Sequence, residues 1–256
     1  MSRTVVIGAS SGLGRCIGVG LAHRGAQVAL LARRRERIEA AAREAGSGAV
    51  AIECDVTIEG SCRSAIETAA EALGGIDNLV YTPAVAPLVR MVDTDAETWR
   101  RVFDTNVTGA AVATAAAVPY LAAAAGKAVY LSSDAGSFTP SWPGLGAYGV
   151  SKAALERLVD AWRAEHPEIG FTCLIVGECE GGEGDAQTGM NIGWDPELAM
   201  NVYPGWLSRG YMPGRLMPVA DVVEVVHTIL RTDAATSMPI VVARGAPISP
   251  AAVPEA

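Results

Sequence analysis

The chain reads as an α/β protein built on one doubly wound sheet of about seven parallel strands. Three observations carry that reading. Short runs that are apolar at nearly every position alternate with stretches of helical period, and such strands are covered on both faces, as in a parallel sheet between two helix layers. A glycine-rich turn follows the first of these runs directly. No repeat or linker interrupts the alternation before residue 177.

In order, residues 4–7 form the first strand, and a glycine turn leads into an amphipathic helix near 13–24. A strand at 27–32, a helix at 34–45, a strand at 49–54, a helix near 59–73 and a strand at 77–81 continue the alternation. One long helix fits 96–124, with a break expected near Val118 and Pro119 because proline removes a helical hydrogen bond. Strand 128–131, helix 147–164, strand 171–176, helix 220–230 and strand 240–242 complete the set. Residues 178–217 depart from the pattern, being glycine-rich and acidic first, then rich in Trp, Tyr and Met. They read as a lid-like excursion on a single domain spanning 1–246, and residues 247–256, rich in Pro and Ala, read as a tail.

Composition narrows the function. With 256 residues, half of them apolar, the chain has ample material for one large core. A net charge of −8 argues against a basic face for nucleic acid or anionic membrane. The longest apolar stretch, 110–125, is Ala-dominated and interrupted by Thr114 and Pro119, so it reads as a buried or interface helix and no membrane insertion is expected. The first residues enter a strand at once and lack the layout of a cleavable signal. Five scattered cysteines without metal-ligand spacing read as reduced thiols in the cytoplasm, with no metal site.

The turn Gly8-Ala9-Ser10-Ser11-Gly12-Leu13-Gly14 opens the first helix. Glycines let the backbone approach a pyrophosphate, and the helix N-terminus offers free N–H groups and positive dipole. Such a turn means little alone; directly after strand one of a β/α chain it reads as a dinucleotide cradle, hence a Rossmann-type sheet. Where an NAD site would place an acid at the end of the second strand, this chain has Arg33, Arg34 and Arg35 after Ala32. A guanidinium suits a 2′-phosphate, which favours NADP(H) over NAD(H); the alternative is a solvated, arginine-rich helix start. Asp55, followed by Val56, reads either as an acceptor for the adenine amino group or as a turn cap.

Tyr148 and Lys152 stand four residues apart at a helix start, on one face. A neighbouring ammonium and an oxidised nicotinamide would favour the phenolate and let the phenol shuttle a proton. Only two of the twenty basic residues are lysines, Lys127 and Lys152. One falling here is informative, because a compact ammonium and a planar guanidinium serve differently. Ser133 ends the fifth strand, where a hydroxyl can donate to a substrate oxygen. Asn106 sits inside the long helix close to Gly109, a pairing that points to a local distortion freeing a carbonyl for a water or for Lys152, or to a plain buried Asn.

Together the glycine loop, Asp55, Asn106, Ser133, Tyr148 and Lys152 resemble, in identity and order, the short-chain dehydrogenase/reductase superfamily, over residues 4–177 and more loosely to 242. The resemblance implies Tyr148 as acid/base, Lys152 as pKa modulator and ribose binder, Ser133 as substrate-orienting donor and Asn106 as anchor of a relay water. Taken with the arginines read above, the expected cofactor contacts are Gly8, Ser10, Ser11, Gly12, Leu13, Gly14, Arg33, Arg34, Asp55, Val56, Ala84, Tyr148, Lys152 and Gly177. The resemblance also implies a homodimer or homotetramer acting on a small alcohol or carbonyl compound.

Three features depart from the family pattern. Tyr81-Thr82-Pro83-Ala84 replaces the usual Asn-Asn-Ala-Gly. Ser133 precedes Tyr148 by fifteen residues, about two more than is common, a difference that a loop around Trp142 would absorb. Val176-Gly177-Glu178-Cys179-Glu180-Gly181 lacks the carboxamide-binding Thr, leaving Thr188 as a distant substitute.

In the excursion, Trp194, Tyr203, Trp206, Tyr211, Met190, Met200, Met212 and Met217 point to an apolar pocket for a bulky carbonyl compound, or to packing of the lid on itself. Glu178, Glu180, Glu183 and Asp185 would disfavour anionic substrates if they face the cleft. The competing functional reading is a non-catalytic dinucleotide sensor or scaffold of the same fold. A third is an isomerase or lyase that retains its nicotinamide.

Overall fold

The computed structural model describes residues 1–182, 186–212, 215–232 and 237–245. Its seven strands are β1 (Arg3–Ile7), β2 (Gln27–Ala32), β3 (Ala49–Glu53), β4 (Asn78–Tyr81), β5 (Lys127–Ser133), β6 (Gly170–Val176) and β7 (Ile240–Ala243). They form one sheet in the order β3-β2-β1-β4-β5-β6-β7, parallel at every pairing. The helices are α1 (Gly12–His23), α2 (Arg35–Ala45), α3 (Glu59–Leu73), α4 (Ala96–Phe103), α5 (Gly109–Ala123), α6 (Asp134–Ser137), α7 (Gly146–Glu165), α8 (Pro196–Ser208) and α9 (Val219–Arg231).

The continuous apolar strands are explained by two separate cores. Val5 and Ile7 of β1 face one way, into side chains of α3, α5 and α7 such as Ile66, Ala113 and Leu155. Val6 faces the other way, into Ile17 of α1, Ala41 of α2 and Val226 of α9. Period-2 alternation sends neighbouring residues to opposite faces, so a strand between two helix layers must be apolar throughout. The strand order reverses direction between β1 and β4, which opens a crevice above their carboxyl ends. Lys127, at the start of β5, fastens the far edge by donating to the Ile229 carbonyl at the end of α9 (3.1 Å) and to Thr232.

The long central helix differs from expectation in one respect. Pro119 does not break it, and α5 runs through that residue. Pro119 lies on the outward side, as does Ala115 one turn earlier, so the disturbed turn faces away from the core. The interruption falls at residues Asp104–Thr108, a π-helical turn around Asn106. Asn106 is fully buried: its Oδ1 accepts from Val85 N (2.8 Å), and its Nδ2 donates to Val85 O (3.0 Å) and to Ser151 Oγ of α7 (2.9 Å). Tyr81 Oη donates to the Thr105 carbonyl in the same turn (2.6 Å). Gly109 lets the turn sit this close, since a Cβ there would come within 2.9 Å of Val56 and 2.7 Å of Tyr81 Oη. Residues Ala96–Ala123 have the length and apolarity of a membrane-crossing helix. In the fold, Ala110, Ala113, Ala117 and Leu121 are buried in the core shared with α3.

The excursion beyond β6 has its ends tied together. Glu180 N donates to Met217 O (2.9 Å) and Met217 N to Glu178 O (3.0 Å). Between them lies α8, which the sequence pattern did not announce; Asp195 caps it by accepting from Glu197 N (2.9 Å), with Pro196 in its first turn. Two indoles fasten it to the body: Trp194 donates to Ala86 O (2.7 Å) and Trp206 to Pro143 O (3.0 Å). Glu183, Asp185 and the tail at 247–256 lie outside the described residues.

Candidate active site

One cavity of about 790 Å³ runs along the crevice, from the glycine turn past the ends of β4 and β5 to the aromatic residues of the excursion. Gly8, Ser10, Ser11, Gly12, Leu13, Arg33, Arg34, Asp55, Val56, Ala84, Ser133, Tyr148, Lys152 and Gly177 all line it. Two expected residues do not. Gly14 lies beneath the turn, and Asn106 lies behind Thr105, which takes the wall position.

The glycine turn is shaped by packing. Gly8 has φ +88° and Gly12 φ +56°, the left-handed region where a side chain is strained. A Cβ on Gly14 would overlap the Gly8 carbonyl and Thr82 Oγ1, and one on Gly8 would also overlap Thr82 Oγ1. Thr82 itself donates to Ile7 O (2.7 Å), so the altered segment after β4 clamps the turn from behind. The first-turn amides of α1 have no intrahelical acceptors and face the cavity with positive dipole. Ser11, at the N-cap, makes no side-chain cap bond.

Arg34, at the head of α2, folds back over this turn. Its guanidinium donates to Ser10 Oγ (3.1 and 2.7 Å) and to Ser11 Oγ (2.6 Å). Partial burial and the nearby Arg37 and Arg33 lower its pKa. Arg33 pairs with Asp55, 4.0 Å away, and its side chain is 66% exposed. Asp55 Oδ1 accepts from Thr57 N (3.0 Å) and Thr57 Oγ1 (2.7 Å), so one of its oxygens caps the turn before α3. These bonds and Arg33 hold Asp55 below the usual carboxylate range, outweighing the upward pull of its partial burial.

At the other end, β5 delivers Ser133 and α7 delivers Tyr148 and Lys152. Burial pushes the Tyr148 phenol up to about 12, while the hydroxyl of Ser133, within hydrogen-bonding reach, pulls it down. Lys152 Nζ lies 5.6 Å from the centre of the Tyr148 ring and donates to the Leu131 carbonyl (2.6 Å). Burial brings Lys152 down to about 8. The sequence left open a carbonyl freed near Asn106 for Lys152; the amine is engaged by β5 instead, and Asn106 ties the π-turn to Val85 and α7. Ser132, beside Ser133, donates to Glu156 Oε1 of α7 (2.7 Å), pinning that helix to the strand.

The departures from the expected motif gather here. The longer connection from Ser133 to Tyr148 holds α6 and a loop carrying Trp142, which is 7% exposed. Trp142 packs on Trp206 (5.2 Å between centroids) and Tyr211 (5.4 Å). Trp142, Trp194, Tyr203, Trp206, Met190 and Met212 line the cavity, whereas Met200 points to solvent and Met217 joins the main core. Thr188, distant in sequence, returns to the site: a Cβ on Gly12 would meet it at 3.5 Å, and one on Gly181 would overlap it. Asp134 escaped the sequence reading, and its only signal was an acid directly after Ser133. Asp134, Glu178 and Arg244 stand just past the carboxyl ends of the adjacent strands β5, β6 and β7. Burial raises Asp134, and burial together with Asp134 lifts Glu178 to about 7.

A profile of the short chain dehydrogenase family matches residues 2–185. The chain belongs to the short-chain dehydrogenase/reductase family. Among its relatives, glycine betaine reductase ATRR of Emericella nidulans is 38% identical over 176 residues, covering 67% of this chain and 14% of that protein. The 11-beta-hydroxysteroid dehydrogenase 1A of Arabidopsis thaliana is 36% identical over 203 residues, covering 77% of this chain and 57% of that one. The chain thus spans less than two thirds of the length of these relatives. Among solved short-chain dehydrogenase/reductase structures, one from Mycobacterium marinum superposes with a TM-score of 0.82 at 25% identity, over 95% of this chain and 94% of that one.

Proposed function

We propose that this family member is an NADP(H)-dependent oxidoreductase that moves hydride between a nicotinamide and the alcohol or carbonyl carbon of a bulky small molecule with an apolar body. One observation carries the reading: a single cavity joins Arg34 and the glycine turn to Ser133, Tyr148 and Lys152. A dinucleotide fits the residues present. The turn is a cradle that a Cβ on Gly8 or Gly14 would fill, and Arg34 brings a forked cation to its rim.

When bound, the nicotinamide gives or takes the hydride. Tyr148 moves the proton at the substrate oxygen, and a pKa near 12 makes it the acid for a nascent alkoxide. The Lys152 ammonium below the ring, joined by an oxidised nicotinamide, pulls that value toward neutrality for the reverse direction. Ser133 donates to the same oxygen and fixes its orientation. Asn106 acts from behind: with its side chain spent on Val85 and Ser151, it sets the π-turn against α7, and any relay water is left to the backbone of that turn. Thr188 takes the place of the missing carboxamide-side Thr. The excursion closes over the substrate as a lid, with its glycines as hinge. The uncharged outward face of α5, with Ala115, Pro119 and Ala123, suits close packing in a homodimer or homotetramer.

Tyr148→Phe tests the reading. Turnover of carbonyl substrates with NADPH should fall by at least about 10²-fold, with NADPH binding changed less than about twofold. A variant as active as the native chain would overturn the acid/base role. Native protein that binds NADPH yet turns over nothing across a broad carbonyl panel would favour the sensor.

A further inference from the structure

The catalytic end of the cavity has an unusual charge and donor inventory. Three indoles line it, yet none keeps a free N–H: Trp142 donates to Thr139 Oγ1 (2.7 Å), Trp194 to Ala86 O and Trp206 to Pro143 O. What they offer a ligand is ring surface, whose face carries negative potential. Two carboxylates, Asp134 and Glu178, share the lining.

Their proximity follows from register. Ser133 pairs with Val176 and Val176 with Ala243, so the residues that follow these strands meet beyond the sheet edge. Asp134 is 3% exposed, and among the described residues its Oδ2 accepts no hydrogen bond, although Arg244 Nε stands 3.3 Å away. Against two carboxylates the protein sets one guanidinium, partly exposed and outside the lining. Among the described residues the only cationic side chain lining this end is Lys152, engaged with Leu131 O. A buried carboxylate oxygen without a donor is costly, and an anionic substrate would add repulsion.

We infer that this subsite takes the cationic head of a methylated-ammonium carbonyl compound, seated between Asp134 and Glu178 and the rings of Trp142, Trp194 and Trp206. A methylated ammonium brings positive charge with no N–H to satisfy, and so matches ring faces and carboxylates together. The inference rests on the reductase reading, since it names the substrate class of that same site.

The test is a calorimetric titration of the full chain, with and without saturating NADP⁺, using choline and its neutral isostere 3,3-dimethylbutan-1-ol. Choline should bind about tenfold or more tightly than the isostere. Asp134→Asn and Glu178→Gln, each checked for native near-ultraviolet circular dichroism, should cut that ratio to about threefold or less. A native ratio of one or below overturns the inference and leaves the carboxylates to internal packing or cofactor contacts. The same holds if both variants keep the native ratio. Turnover of the corresponding aldehydes with NADPH separates the two claims. Preferential choline binding without turnover of either aldehyde would sink the reductase reading and leave the cation subsite standing. Turnover of 3,3-dimethylbutanal with a binding ratio of one would do the reverse.

Discussion

Replacing Arg34 with alanine isolates the phosphate reading, because of the two cavity-lining arginines it is the one built into the glycine turn. Its three donated bonds, at 3.1, 2.7 and 2.6 Å, end on Ser10 and Ser11 and hold the fork over the start of α1. The two hydroxyls accept from Arg34 and keep their own protons for a phosphate oxygen. A hydrogen bond to a charged group contributes roughly 1.5–3 kcal/mol. The site is partly exposed, and screening favours the lower half of that range. Removing Arg34 should therefore weaken NADPH by about 10- to 50-fold and NADH by less than about threefold, because NADH lacks the 2′-phosphate. The assay is energy transfer from the five tryptophans to bound reduced nicotinamide, titrated with each cofactor. Arg34→Lys should recover part of the loss, returning the charge without the fork. Raising ionic strength should shrink the gap between cofactors. Equal weakening of NADPH and NADH would refute the reasoning and make Arg34 a brace for the turn. Tighter NADH than NADPH binding by the native chain would refute the cofactor assignment itself.

Two further outcomes follow from burial and packing. Lys152 is held near 8 in the folded chain against about 10.5 when free, so between those values the unfolded chain binds the extra proton. Stability relative to Lys152→Met should accordingly rise as pH climbs from about 8 to 10.5, by up to roughly 3 kcal/mol; a difference flat across that window, read from urea midpoints, would contradict it. Gly14→Ala forces a Cβ onto the Gly8 carbonyl and should cost roughly 1–3 kcal/mol. Gly60→Ala in the first turn of α3 has open space around it and should gain about 0.5 kcal/mol, so thermal melts of the pair should shift in opposite directions.

The parts of the fold set by periodicity were legible in the sequence. β2 and α3 have the expected bounds, and most other boundaries differ by a residue or two. Pro119 was misleading because the cost of a proline is carried by the packing of the helix around it, and α5 is held by the buried face of Ala113, Ala117 and Leu121, which a local pattern does not show. The distortion at Asn106 was legible as a weak helix former beside a glycine, but its purpose was not. That depends on Val85 and Ser151, 21 and 45 residues away. α8 was hidden because its exposed face carries Met200, Tyr203 and Leu207, which blurs the amphipathic contrast. Asp134, Glu178 and Arg244 became one group only through strand order and register, which no single segment encodes.

The departures from the family pattern are not scattered. At the phosphate end the motif is kept, and the Thr82–Pro83 change is absorbed there: Thr82 takes over a clamp on Gly8 and Gly14, and Pro83 packs against Gly8. At the catalytic end the inserted Trp142, the Glu178–Gly181 segment and the excursion all change together, and they meet one another. Trp142 packs at a tilt against Trp206, Glu178 N-terminally anchors the loop that Met217 closes, and Thr188 returns to Gly181 and Gly12. A chain losing its cofactor site would have no reason to keep the cradle free of Cβ atoms while changing several segments beside Tyr148 for residues that contact each other. Ser133, Tyr148 and Lys152 thus face a wall that departs from the family pattern, and this favours an enzyme adapted to a different substrate over a scaffold that has given up chemistry.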